Sequence, residues 1–157
     1  MNSFHGPLSV APIISRISAQ VPGLLTVGGA MEYALAQKRP TSECPAAYVI
    51  RASEVGNSQT SGTQIKIEDV QHRVSVCLAF VPRADRDFAL QNADMDAIET
   101  AVRKALLEGW TYPELPEPAP QHKARSMRFI SSQVTTTDQQ SIWVSCIFQL
   151  TYTQRYI

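Results

Sequence analysis

The chain has 157 residues, 14 Lys and Arg against 14 Asp and Glu, and 44% hydrophobic residues. That is about one domain's length, with enough apolar material for a core that needs no disulfides. A neutral chain with a pI near 6.8 lacks the basic footprint of a protein that holds nucleic acid phosphates, which argues against duplex binding.

No run approaches the roughly 18 apolar residues that span a bilayer, and Met1 to Pro7 has no basic segment followed by an apolar one. The expectation is a soluble, cytoplasmically made protein with no membrane contact. Cys44, Cys77 and Cys146 are odd in number and far apart, as buried free thiols are in a reducing compartment. The 14 Ser, 11 Thr and 12 Gln outnumber the charged residues, and such a hydrated, weakly repelling surface suits contact between subunits.

Val10, Ile13, Ile14, Ile17 and Val21 recur at helical spacing, with Ser9 as cap, Pro12 in the first turn and Val21-Pro22-Gly23 as the stop. Leu24 to Val27 reads as a brief strand, and Gly28-Gly29 opens a short helix from Ala30 to Lys38. Ala46 to Ala52 and His72 to Val81 read as buried strands, the second with Val74, Val76, Leu78 and Phe80 on one face. The polar, glycine-bearing stretch from Glu54 to Gln64 between them reads as a loop, with Ile65 and Ile67 extending the second strand outward.

Asn92 to Glu108 carries a stripe of Met95, Ile98, Val102, Ala105 and Leu106, with Gly109 in the stop position and Asp94 and Asp96 at its positive end. Pro113, Pro116, Pro118 and Pro120 then make a stiff strap over 113–120. Arg125 to Thr135 and Ser141 to Thr153 close the chain as two strands turning through Thr136 to Gln140. Ile142, Val144, Cys146, Phe148, Leu150 and Tyr152 share one face of the last strand, and Trp143 and Ile147 lie on the other. The order predicts a single α+β domain over 1–157: an antiparallel (mixed) β-sheet of about four strands with helices packed on one face.

The strong chemical motifs are absent: no Cys-x-x-Cys, no His-Glu-x-x-His, no Gly-x-Ser-x-Gly and no phosphate loop. His5, His72 and His122 share no local site. Asp85-Arg86-Asp87 and Asp94-Met95-Asp96 lack the third ligand and glycine of an EF-hand, and read as turn chemistry and helix capping respectively. Gly28-Gly29 before a helix is a weak anion site, better taken as a tight turn. Pro113 to Pro116 has Pro-x-x-Pro spacing without basic neighbours, and Cys44 has no adjacent base. Trp110 and Trp143 read as core or interface anchors ahead of ligand-stacking residues. No catalytic residue, cofactor site or metal site is assigned. Residues 88–120 carry 6 acidic and 2 basic residues and 121–157 carry 4 basic and 1 acidic, which fits pairing within the chain or head-to-tail between copies.

Read together, Ala11-Pro12-Ile13-Ile14 through Val21-Pro22-Gly23-Leu24, Val27-Gly28-Gly29-Ala30, Pro45-Ala46-Ala47-Tyr48-Val49-Ile50, Gln71 to Val76, Ala101 to Trp110 and Trp143 to Tyr152 resemble the tail terminator, or tail completion, proteins of long-tailed bacteriophages. The resemblance covers nearly the whole chain through structural motifs: helix ends, turns and buried strands. It implies a non-enzymatic virion protein that forms a hexameric ring on the head-proximal end of the tail tube, stops tube polymerisation and meets the head connector. Assembly in the host cytoplasm and no cofactor are implied. DNA would pass through the ring without specific binding.

Such a cap needs polar extensions toward its neighbours. The interface candidates are Gly56, Ser58, Thr60 and Gln64 in the first polar segment, Thr136, Asp138 and Gln140 at the last turn, and Arg155 and Tyr156 at the C-terminus. The alternative nearest to this is another phage tail or connector structural subunit, and two other classes compete. A small enzyme requires convergence such as Cys44 with His72, or His72 with Asp69. A ligand-binding or adaptor module requires a closed apolar pocket.

Overall fold

A computed structural model describes residues 7–38, 44–59, 66–113, 127–137 and 141–156. The elements in chain order are α1 (Ala11–Gln20), β1 (Thr26–Gly28), α2 (Ala30–Lys38), β2 (Ala46–Gln59), β3 (Lys66–Phe80), α3 (Phe88–Leu107), β4 (Arg128–Thr137) and β5 (Ile142–Tyr156). The strands form one sheet in the order β1-β2-β3-β5-β4. β1 runs parallel to β2 and the remaining pairs are antiparallel. The mixed sheet with helices is the expected α+β fold, with the brief Leu24 to Val27 segment supplying a fifth strand.

Strand alternation assigns the two faces. Ala47 and Val49 of β2, Val74, Val76 and Leu78 of β3, and Cys146, Phe148 and Leu150 of β5 join one buried cluster with Ile13 and Ile17 of α1 and Ile98, Val102, Ala105 and Leu106 of α3. Each fully buried aliphatic or aromatic side chain here is worth about 1.5–3 kcal/mol. The opposite face holds a smaller cluster of Ala46, Tyr48, Cys77, Ala79 and Trp143 against Tyr33 and Ala36 of α2. Tyr33 meets Trp143 edge-on with ring centroids 5.6 Å apart. α1 and α3 therefore cover one face, whereas the short α2 covers part of the other.

Helix ends follow local chemistry. Ser9 Oγ accepts the Ala11 N–H at the start of α1. α3 begins at Phe88 because the Asp87 carboxylate accepts the Ala89 N–H at 2.8 Å. Asp94 and Asp96, expected at the positive end, consequently lie well inside the helix, and the cap comes from the acidic pair read as turn chemistry. Gly109, at φ +61°, takes the left-handed conformation that ends α3. Arg16 of α1 donates from Nε to the Ala105 carbonyl at 2.8 Å and from a terminal nitrogen to the Glu108 carbonyl, satisfying that same end.

The segment expected as a loop from Glu54 is mostly strand. β2 continues to Gln59 and β3 starts at Lys66, with Glu54 opposite His72 and Gln59 opposite Ile67. A β-bulge between Arg51 and Ser53 marks where the strand leaves the covered region. Polar residues are tolerated beyond it because Ser53 to Gly56 are exposed, and ladder bonds satisfy the backbone. The rest of the expected loop, 60–64, lies outside the described residues, as do strap residues 114–120, His5 and His122.

Candidate functional site

Strand register separates the residues an enzyme would need together. Ala46, just after Cys44, pairs with Ala79, whereas His72 pairs with Glu54. Seven residues of β3 between Ala79 and His72 span about 23 Å. His72 is 1% exposed, and its Nδ1 lies 2.7 Å from Glu54 Oε1 rather than at Asp69. Burial pushes its imidazolium below the ordinary value, and the Glu54 hydrogen bond only partly opposes that. The ring is therefore neutral at pH 7, with Nδ1–H donating to Glu54. Glu54 Oε1 also accepts the Leu8 N–H at 3.1 Å. Sequence reasoning missed this partner because Glu54 sits beyond a bulge whose position no periodicity marks.

A second polar centre joins α3 to the last two strands. Glu99 Oε1 accepts from the Ser132 hydroxyl, from Arg103 at 2.9 Å and from the Cys146 thiol at 3.4 Å. Burial disfavours the charged form of Glu99, but these donors prevail and hold its carboxyl below the usual range. Arg103 also lies 3.9 Å over the Phe129 ring. The Cys146 thiol is pushed up to about 12 by burial and the Glu99 charge, so it is no nucleophile at neutral pH. The centre is a structural clasp. Burial likewise raises the Cys77 thiol.

The remaining motifs resolve into packing. Glu32 returns its carboxylate to the Gly29 N–H at 3.0 Å, so the chain's own acid fills the weak anion site. Trp143 is buried in the second cluster, and Trp110 stacks edge-on to Tyr112 against the main one. Among the described residues no three His, Cys, Asp or Glu side chains gather to hold a metal ion. No described helix is long and apolar enough to cross a membrane.

The sheet instead offers two extended ends. At one end β2, β3 and β5 run on as a three-stranded arm, in which Gly56 pairs with Val70, Ser58 with Glu68, Ile67 with Arg155 and Lys66 with Tyr156. Four of the interface candidates, Gly56, Ser58, Arg155 and Tyr156, are thereby brought onto one arm. Thr136 pairs with Trp143 at the other end, where β4 ends and β5 begins. Twelve residues of β5 between Trp143 and Arg155 put the two sets about 40 Å apart. For Ser58, Thr136, Arg155 and Tyr156 the strand position is what is described. Thr60, Gln64, Asp138 and Gln140 lie outside the described residues.

A family model described as phage tail terminator protein matches residues 3–156 of the chain. No curated protein matches it.

Proposed function

This chain belongs to the phage tail terminator family, and from that premise we propose that six copies close into a ring on the head-proximal end of the tail tube. The family is a structural one and implies a virion component that contacts other tail or head proteins. In the proposed role the ring ends polymerisation of the tube protein and joins the tail to the head connector. Assembly takes place in the host cytoplasm, no cofactor takes part, and DNA passes through the ring ungripped, as suits a chain with zero formal net charge.

The observation that carries this reading is the two-ended sheet. A cap must touch the tube on one side and the connector on the other, and the arm of β2, β3 and β5 lies about 40 Å along the sheet from where β4 ends and β5 begins. In this reading Gly56, Ser58, Thr60, Gln64, Arg155 and Tyr156 serve one contact, and Thr136, Asp138 and Gln140 serve the other. The core joined by Glu99 and Arg16 lies between them.

Light scattering across a concentration series, with negative-stain images of the largest species, tests the ring. A six-subunit annulus, formed alone or on added tail tubes, supports it. A monomer under both conditions contradicts it.

A further inference from the structure

Two apolar surfaces remain open on opposite faces of the sheet. At 100° per residue, Tyr33 and Ala36 of α2 point inward while Met31 and Leu35 point the other way. Met31 is 80% and Leu35 69% exposed, and Leu25 just before β1 is 67% exposed. A nine-residue helix apolar on both sides makes a ridge whose outer face none of the described residues covers. On the α1/α3 face, a groove of about 190 Å³ opens between the end of β3 and the start of α3. Phe80, Val81, Phe88, Met95 and Ile142 line it, and Phe88 is 61% exposed.

We propose that the Met31–Leu35 ridge of one copy seats in the Phe88 groove of the next, forming the head-to-tail contact that closes the ring. This rests on the ring reading above. Cyclic closure of more than two copies needs two unlike, mutually complementary surfaces on each subunit, and ridge and groove are such a pair.

Charge selects a second copy as the occupant. The ridge carries Glu32 near its start and Lys38 at its end, six residues or about 9 Å apart along the helix. The groove carries Asp94 inside α3, while in the segment before the helix Arg83 and Arg86 are balanced by Asp85 and Asp87, so its unbalanced charge is negative and lies along α3. With α2 of one copy laid alongside α3 of its neighbour in the same direction, Lys38 faces Asp94 and Glu32 lies over the segment whose charges balance. The reverse direction sets like charges together, so the charges fix the orientation as well.

The test uses the full chain with two surface variants, Met31→Asp/Leu35→Asp in the ridge and Phe88→Asp in the groove. All three sites are exposed, and an acid at the first position of α3 favours the helix, so circular dichroism should match the unaltered protein. Each variant alone should stay monomeric where the unaltered chain forms rings, at least tenfold weaker in association. Their equimolar mixture should give dimers and nothing larger, since a single intact ridge and a single intact groove remain to pair. Lys38→Glu should weaken the ring, and adding Asp94→Lys in the same chain should restore it. Rings formed by both variants, or a mixture that stays monomeric, overturn the ridge-and-groove contact while leaving the ring itself standing. An unaltered chain that is monomeric alone and on tail tubes overturns both.

Discussion

His72 and Glu54 meet at 2.7 Å across β2 and β3, and the oxygen that holds the imidazole also holds the Leu8 backbone N–H. One contact, buried on the His72 side, thus ties the segment before α1 to the base of the arm. Removing the carboxylate leaves two donors without a partner, so Glu54→Ala is expected to cost about 1–3 kcal/mol in denaturant unfolding. Protection of the Leu8 amide in hydrogen exchange should fall with it.

The same pair sets a pH dependence. Burial holds the folded His72 below its ordinary 6.5, so the unfolded chain takes up the proton first as pH falls. Stability from this group is present above pH 6.5 and is lost as pH falls from there toward the folded value. The unaltered protein should melt at progressively lower temperature from pH 7.5 to 5.5, whereas His72→Asn, which keeps a donor for Glu54, should show a flatter slope. Equal slopes would remove His72 as the cause.

Glu99 is the hub of the clasp between α3, β4 and β5. Glu99→Gln removes the charge that Arg103 and Ser132 address, and should lower stability by about 1–3 kcal/mol at pH 7. Its carboxyl is held below the ordinary 4.5 by those donors, so its contribution is complete above pH 4.5 and is lost as pH falls through the folded value. The gap between variant and unaltered protein should accordingly close in acid.

Thiol chemistry should sort the three cysteines by environment. Cys77 and Cys146 are buried with raised thiols, whereas Cys44 is half-buried at the rim of the groove. A disulfide reagent applied to the native protein should modify Cys44 first, with the other two reacting after denaturation. Fast native modification of Cys146 would contradict its place in the clasp.

Arg16 closes the carbonyl end of α3 from a neighbouring helix. Arg16→Ala should cost about 1 kcal/mol, and its effect should appear as fraying of Ala105 to Glu108 in hydrogen exchange.

Much of this architecture was readable before any coordinates. The alternation in β3 and β5 announces both the strands and their buried face, and the stripe from Met95 to Leu106 announces α3 and the face it buries. Three features escaped for physical reasons. β2 beyond the bulge is exposed and polar, so its pairing with β3 leaves no hydrophobic period to read. α2 carries apolar residues on two opposite sides, and nothing in such a helix says which side meets the sheet; its place opposite α1 and α3 depends on Trp143 and Tyr48. The cap of α3 fell to Asp87, whose carboxylate reaches the Ala89 N–H, whereas Asp94 and Asp96 lie about two turns further on, inside the helix. The interface candidates lie in polar segments with no period to pair them, and the register alone reveals that Gly56 and Arg155 share an arm while Thr136 sits at the far end.

The central claim is that this chain caps a growing tail tube, and the most direct test is the length of tubes assembled from the purified tube protein with and without it. Added chain at a few copies per tube end should stop elongation and narrow the length distribution in electron micrographs, with an annulus visible at one end only. Tubes that keep growing at the same rate, with the chain absent from their ends, would contradict the account.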